Sequence, residues 1–376
     1  MDALTNRVDC PHGRDCGACA LLGESYEDQL WAKGRIIQSA LAKHPELSGI
    51  KTAPCLPSPL QTRYRNRAKM AVGISKHGGT SLGYFRAGTR EIIDAPECRV
   101  LVPELLETTR RIRRFLLASK KIPRSLRHID LRCGSDPMRQ HLTLVFRATA
   151  RPAFPLDELR RACSAVDGIS FNLNPAAGPQ TIRGAVSPWW GEREIWVDHA
   201  EHRLRVSPAA FFQVNLALLP AIHERMREFL GEGGMLADLY AGVGTHGLAL
   251  RRRFRQLLFT EGSRSAVADL KSTLKRHRVE HAQVSPRAVE RGLGRLRAAA
   301  PDAIVLNPSR AGVLENVLDA ISRTPARKLA YLSCDPTTLC RDLAFLCRKK
   351  FEVRSIEPID MMPQTRQVEV LALLAR

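Results

Sequence analysis

The amino-acid sequence predicts an α/β protein whose C-terminal part forms a mainly parallel, doubly wound sheet. After about residue 206, short apolar strands alternate with segments of helix length, and a glycine-rich turn follows the first strand. Polar or reactive side chains end two later strands, where an open α/β sheet binds its ligands. At 376 residues and 44% hydrophobic content, the chain can build buried cores in about two or three domains.

The N-terminal region begins with a short polar segment that carries Cys10, Cys16 and Cys19. Apolar residues at helical spacing predict a helix over residues 27–43, and Pro45 ends it.

The middle of the chain has the pattern of a mixed α/β region. Alternating residues between 63 and 95 predict strands, with a turn at Gly78 and Gly79. A basic helix is predicted over 103–119 and a second helix over 156–166. Further strands are predicted at 128–133, 141–147 and 169–174. We therefore divide the chain into residues 1–49, a central domain of residues 50–205, and residues 206–376.

The C-terminal part supplies the elements of the doubly wound sheet. A helix over 220–230 precedes the first strand, and Asp335 is the expected N-cap of a later helix. The predicted strands are 235–240, 256–260, 303–306, 328–333, 352–356 and 367–374.

The net charge of +20 limits the partners that we expect. Such a surplus is compatible with nucleic acid, with an anionic membrane or with a basic soluble protein. The basic residues are spread along the chain, which favours a folded surface facing a phosphate backbone. No stretch approaches the roughly 20 apolar residues of a membrane span, and the N-terminus lacks the apolar core of a secretory signal. We therefore expect a cytoplasmic monomer with no membrane partner.

The segment 236–250 predicts a strand, a glycine turn and a helix around a bound nucleoside. Gly242 and Gly244 allow the sharp turn and the close approach of a ligand. Glu261 ends the next strand, where a carboxylate can accept hydrogen bonds from ribose hydroxyls. Two alternatives to a site for a methyl donor stay open. The same pattern also binds dinucleotides, or the glycines form a turn and bind no ligand. Asp238 favours a methyl donor with a cationic centre.

Two further strand ends carry candidate chemistry. Asn307 precedes Pro308 at one strand end, where its amide can bond the edge of a planar substrate. Cys334 lies between a strand and a helix N-terminus, whose positive field should lower the thiol pKa. Glu369 interrupts an apolar strand, and burial should raise its pKa. The alternatives are a small buried hydrophobic residue for Cys334 and a surface position for Glu369. Ten cysteines in a cytoplasmic chain indicate metal binding or catalysis more than disulfides.

These motifs together resemble the uracil-5 RNA methyltransferase family, which includes rRNA and tRNA enzymes. The matching stretches cover nearly the whole chain and are 64–67, 207–215, 238–244, 307–312, 331–335 and 360–369. The resemblance implies a Rossmann-like class I methyltransferase domain that uses S-adenosylmethionine, and a central domain that faces RNA and not DNA.

The resemblance also implies roles for individual residues. Cys334 corresponds to the nucleophile that adds to C6 of uracil, and Glu369 to the base that removes the C5 proton. The residues that correspond to the donor site are Gln213, Tyr240, Gly242 and Glu261. Asn307 corresponds to a residue that contacts the donor or the uracil.

Four cysteines match, in spacing, the ligands of the [4Fe–4S] cluster found in the rRNA members of this family. They are Cys10, Cys16, Cys19 and the distant Cys98. Four thiolates suit a cubane cluster. The alternatives are a zinc ion, which usually binds two close pairs of cysteines, and no metal at all. The chain most resembles the compact members that methylate 23S rRNA. A tRNA substrate is the alternative. The four cysteines discriminate between the two, since bacterial tRNA members typically lack them.

The chain departs from the family pattern at several positions. Ser309 replaces a usual Pro or Ala, Asp335 a usual Asn, and Gln367 a usual His. Residues 259–261 are more polar than usual, and an expected Asp is missing near Ser285. These departures leave a diverged, non-catalytic RNA-binding protein as a second hypothesis. An iron–sulfur redox or radical enzyme is the third.

Overall fold

Two seven-stranded sheets organise the residues described in the computed structural model, which are 7–74, 80–176 and 181–376. The turn predicted at Gly78 and Gly79 lies outside the described residues.

The N-terminal helix α1 (Tyr26–Leu41) agrees closely with its prediction. Ser25 caps it by accepting a hydrogen bond from the Asp28 backbone N–H at 3.1 Å. Its buried face includes Lys33 and Ile37 and packs against the C-terminal sheet. The helix therefore belongs to the same hydrophobic core as the C-terminal elements.

The central sheet confirms the predicted mixture of strands and helices. Its strand order is β3-β2-β1-β4-β5-β6-β7, with β5 and β6 parallel and the other pairs antiparallel. The strands are β1 (Arg67–Ile74), β2 (Thr80–Phe85), β3 (Ile92–Asp94), β4 (Leu126–Cys133), β5 (Gln140–Phe146), β6 (Val166–Leu173) and β7 (Val186–Gly191). The helices are α2 (Pro103–Ala118) and α3 (Leu156–Ala162). The predicted second helix was too long, because Cys163 ends α3 and Val166 already begins β6.

A two-stranded hairpin joins the two sheets in sequence. It consists of β8 (Ile195–His199) and β9 (His202–Val206). Its apolar side chains, including Val197 and Leu204, are buried in the core of the C-terminal part.

The C-terminal sheet confirms the predicted doubly wound architecture. Its order is β12-β11-β10-β13-β14-β16-β15; the first five strands are parallel, and β16 runs antiparallel to both neighbours. The strands are β10 (Gly233–Leu239), β11 (Phe254–Thr260), β12 (Ala282–Ser285), β13 (Ala303–Leu306), β14 (Lys328–Ser333), β15 (Glu352–Ile359) and β16 (Glu369–Ala375). The helices are α4 (Leu219–Leu230), α5 (Thr245–Ala249), α6 (Arg264–Arg276), α7 (Leu293–Ala299), α8 (Glu315–Ser322) and α9 (Pro336–Arg348).

Buried polar contacts tie the N-terminal helix and the central sheet to the segment between β15 and β16. Lys33 of α1 forms an ion pair with Asp360, and neither side chain is exposed. The Tyr64 hydroxyl donates to the backbone carbonyl of Pro363 at 2.9 Å. This segment leads directly into Glu369, so these contacts hold one wall of the site described below. None of the helices in the described ranges has the length and apolarity needed to cross a membrane.

Candidate active site

A cavity of about 470 Å³ opens at the carboxyl ends of β10, β13 and β14. It brings together the two residues predicted to act in catalysis and the five that the family resemblance assigned to the donor site. These residues are Gln213, Tyr240, Gly242, Glu261, Asn307, Cys334 and Glu369. They come from distant parts of the chain, and the parallel sheet places their strand ends at one edge.

The glycine turn after β10 forms one wall of this cavity. Tyr240, Gly242 and Gly244 have φ angles of +60°, +57° and +87°. A left-handed conformation is ordinary for glycine but unfavourable for Tyr240, and such strain is typical of functional sites. The Gly242 N–H donates to Glu261 Oε2 at 2.8 Å, and the Ser263 N–H donates to Oε1 at 2.6 Å. Glu261 is therefore held at the cavity wall by the turn itself.

Asp238 differs from the expectation that its charge faces a bound cation. It is buried beneath the turn and is not among the residues that line the cavity. Its Oδ2 accepts a hydrogen bond from the Gly247 N–H at 2.8 Å, and burial raises its pKa to about 7. Asp238 thus stabilises the glycine turn through a buried hydrogen bond and does not face the cavity.

The opposite wall carries Cys334 and Glu369. Ser333 of β14 lies opposite Val370 of β16, so Cys334 and Glu369 occupy the next positions at the sheet edge. The side chain of Glu369 is buried, and this burial raises its pKa to about 7, with Arg310 opposing the shift. The predicted increase in the pKa of Glu369 is confirmed.

The expected decrease in the pKa of Cys334 was wrong. Asp335 caps α9 as predicted, accepting hydrogen bonds from the Thr337 and Thr338 N–H groups at 3.0 Å. Burial nevertheless raises the pKa of the Cys334 thiol, and the Glu369 carboxylate raises it further, while Arg310 lowers it. The sequence argument included the field of the helix but not the desolvation of a half-buried thiol beside a carboxylate.

Three residues of this cavity were missed as candidates. Arg310 lies near Cys334 and donates to Gln367 Oε1. Phe211, with 61% of its surface exposed, lies at the cavity wall. His246 hydrogen-bonds Asn307. Phe211 and Arg310 fall inside matched family motifs, which could have indicated them, whereas the local sequence around His246 contains no such signal.

A second cavity, of about 350 Å³, brings together the four cysteines predicted as metal ligands. Four cationic side chains also line it, namely Arg65, Lys69, Arg99 and Arg310. Burial raises the pKa of the Cys98 thiol, while the nearby Val100 and Leu101 N–H groups and the Tyr84 hydroxyl oppose this shift. Within the described residues, no three His, Cys, Asp or Glu side chains have the arrangement of a metal site. The structure therefore brings the cysteines to one cavity without placing their sulfurs in a ligand geometry.

Comparison with known proteins gives concordant matches. Residues 191–376 match the model of the tRNA (uracil-5-)-methyltransferase family. An RNA methyltransferase of Thermosynechococcus vestitus is 29% identical, over 98% of this chain and 84% of the relative. One of Halalkalibacterium halodurans is 26% identical, over 100% of this chain and 85% of the relative.

Among solved structures, the fold resembles the Pyrococcus abyssi tRNA (uracil-54, C5)-methyltransferase in complex with S-adenosyl-L-homocysteine. The TM-score is 0.77 at 24% identity, and the match covers 96% of this chain and 86% of that structure. The two proteins therefore share their fold.

Proposed function

We propose that the chain is an RNA uracil-5 methyltransferase, which methylates C5 of a uridine in RNA through a covalent intermediate on Cys334. The match of residues 191–376 to the tRNA (uracil-5-)-methyltransferase family and the RNA methyltransferases among the relatives support this proposal. One observation carries this proposal. The thiol, the buried carboxyl group of Glu369 and the five donor-site residues line the same cavity.

The chemistry requires a nucleophile because uracil C5 alone is too weak to attack a methyl group. In the proposed reaction, the Cys334 thiolate adds to C6 and makes C5 an enolate-like carbon. C5 then attacks the methyl carbon, whose bond to the sulfonium sulfur of S-adenosylmethionine breaks. Glu369 removes the C5 proton, and the S–C6 bond breaks to release Cys334.

The donor would bind over the glycine turn. Glu261 is fixed by two backbone N–H groups and keeps lone pairs for ribose hydroxyls. Tyr240, Gly242 and Gln213 complete this wall, while Asn307 lies between it and Cys334 in the strand order. The exposed ring of Phe211 suits stacking against a base that is splayed out of single-stranded RNA.

We further propose that Cys10, Cys16, Cys19 and Cys98 hold a [4Fe–4S] cluster. The donor set fits, since four thiols line one cavity and N–H and O–H groups near the Cys98 sulfur favour its thiolate. A cubane with four thiolates carries net negative charge, which the four surrounding cations would offset. The cluster would supply a structural cross-link between the N-terminal segment and the central domain.

We propose 23S rRNA as the substrate, on the strength of the cysteine quartet. Transfer RNA is the alternative, because the matching family model is named for tRNA enzymes. In either case the net charge of +20 supports binding to a phosphate backbone. We also propose a cytoplasmic location.

The test is methyl transfer from labelled S-adenosylmethionine to unmodified rRNA and to unmodified tRNA. Nucleoside mass spectrometry would identify the product for the wild type, Cys334→Ala and Cys347→Ala. Cys347 is a matched control, since it lies on α9 and lines neither cavity.

We expect 5-methyluridine in one RNA class with the wild type and Cys347→Ala, and a loss of at least about a thousandfold with Cys334→Ala. Activity that persists in Cys334→Ala would refute the covalent mechanism. RNA binding without any methyl transfer by the wild type would favour the non-catalytic hypothesis.

A further inference from the structure

A chain of buried histidines extends from Asn307 into the protein interior. Asn307 Nδ2 lies 3.1 Å from His246 Nε2, and His246 Nδ1 lies 2.9 Å from His223 Nε2. Both histidines are 2% exposed. A third histidine, His199, packs edge-on against His223 and hydrogen-bonds the backbone carbonyl of Thr245 at 2.9 Å.

The structure places the amide nitrogen of Asn307 toward His246, and proton counting from this orientation gives a direction to each hydrogen bond. The Asn307 amide N–H donates, so His246 Nε2 carries no proton. In a neutral imidazole the proton then lies on Nδ1, which donates to His223 Nε2. Neutral rings agree with burial, which lowers the pKa of His246 to about 3 and that of His223 well below its usual value.

We propose that His246 is a positioning residue that fixes the side-chain amide of Asn307 with its carbonyl oxygen facing the cavity. His223 supports this role by keeping the proton of His246 on Nδ1. This inference rests on the proposed function, because it concerns the same cavity.

A fixed carbonyl oxygen selects ligands that present an N–H group. Asn307 directly follows β13, between the turn after β10 and the Cys334 end of β14. Two ligand groups in this cavity would have the required chemistry, the α-ammonium of the methyl donor and N3–H of uracil. An amide turned the other way would instead present N–H groups, which match the unprotonated N3 of cytosine.

The relation to His246 explains why Asn307 needs a partner. An asparagine side chain can exchange its oxygen and nitrogen by rotation about its last bond, and the two forms have nearly the same shape. A neighbouring group that only accepts a hydrogen bond makes one form more stable than the other. Nε2 of His246 is such a group as long as the proton of His246 stays on Nδ1, where it is donated in a hydrogen bond to His223.

The experiment compares His246→Phe with His202→Phe. Both replacements keep an aromatic ring, and His202 is an equally buried histidine outside the cavity, with neither ring nitrogen hydrogen-bonded to the described residues. The first readouts are calorimetric binding of S-adenosylhomocysteine, and kcat and KM on the RNA in which the wild type forms 5-methyluridine. The others are methylation of the same RNA with cytidine at the modified position, and Tm.

For His246→Phe we expect about a tenfold loss in one of the first two readouts. Weaker binding of S-adenosylhomocysteine would identify the α-ammonium as the partner of Asn307. Unchanged binding with a lower kcat/KM for uridine RNA, and weaker discrimination against cytidine, would identify uracil N3–H. His202→Phe should change Tm alone. His246→Gln, whose side-chain oxygen can accept near the position of Nε2, should recover part of the loss.

Equal losses in His246→Phe and His202→Phe would overturn the proposal, because they would show a packing effect only. So would a folded His246→Phe with unchanged binding and kinetics. If His246→Phe does not fold, His223→Phe, which lies outside the cavity, should show a smaller loss in the same readout. A wild type without methyl transfer would refute the proposed function, whereas the binding of S-adenosylhomocysteine would still test His246.

Discussion

Ser333 of β14 pairs with Val370 of β16, and this antiparallel register sets Cys334 beside Glu369. The pairs among β10 to β14 are all parallel, whereas β16 runs antiparallel to β14, so Glu369 at the start of β16 lies at the same sheet end as Cys334 after β14. Cys334 is half-buried and Glu369 is buried, and the Glu369 carboxylate raises the pKa of the Cys334 thiol.

The buried carboxyl group of Glu369 should make stability depend on pH. The unfolded chain releases this proton near pH 4.5 and the folded chain near pH 7, so its ionisation lowers stability as pH rises between these values. Glu369→Gln should therefore raise the free energy of unfolding by roughly 1–3 kcal/mol at pH 8 and by much less at pH 5. Urea denaturation at both pH values measures this. An equal effect at both would mean that the carboxyl group is not destabilised by burial.

The helix α5 that follows the glycine turn has no room for a side chain at Gly247. A Cβ there would lie 2.4 Å from a ring carbon of Phe259 and 2.9 Å from Asp238 Oδ2. We expect Gly247→Ala to lower stability by about 1–3 kcal/mol and to weaken donor binding. Gly294→Ala in α7 is the control, since its Cβ meets nothing within 4 Å, and it should be neutral or stabilising. Thermal unfolding and calorimetry would show the contrast, and equal behaviour of the two variants would contradict it.

The ion pair between Lys33 and Asp360 should matter for stability because both side chains are fully buried. Lys33→Met leaves a buried carboxylate without its cation and should lower the free energy of unfolding by about 3–5 kcal/mol. Adding Asp360→Asn should recover part of this loss. The exposed pair of Arg348 and Glu46 provides the comparison, and Arg348→Met should lower stability far less than Lys33→Met does, because solvent screens the pair. A similar loss in both single variants would argue against the burial of the first pair.

Removal of one proposed cluster ligand should abolish iron binding. Protein purified without oxygen should contain about four iron atoms per chain, with matching sulfide, and Cys98→Ser should lose both. Cys55→Ser is the control, because this half-buried cysteine does not line the cysteine cavity. Zinc in place of iron, or full iron content in Cys98→Ser, would contradict the proposed ligand set.

Regular secondary structure was predicted best where one local pattern sufficed. The limits of β13 and β14 agree with the predicted 303–306 and 328–333, because both strands are continuous apolar runs buried in a parallel sheet. The strands β7 and β12 and the hairpin strands β8 and β9 were missed. β7 contains Pro188, β12 has only four residues, and both lie at sheet edges, where the apolar pattern is weak.

In the candidate site, too, local motifs predicted some features and failed for others. Motifs after successive strands indicated Gly242, Glu261, Asn307 and Cys334, because strand ends of a parallel sheet meet at one edge. The protonation of the site residues could not be predicted from local motifs. The pKa of Cys334 depends on its burial and on Glu369, and Asp238 turned beneath the glycine loop instead of toward the cavity.

The sequence by itself determined the strand and helix alternation, the glycine turn, the N-cap at Asp335 and the residue types at each strand end. These depend on neighbours within a few positions of the chain. Only the tertiary structure decided the pairing of Cys334 with Glu369, the gathering of four cysteines with four cations, and the contact of His246 with Asn307. Those relations arise from strand order, reversal and desolvation, which join residues far apart in sequence.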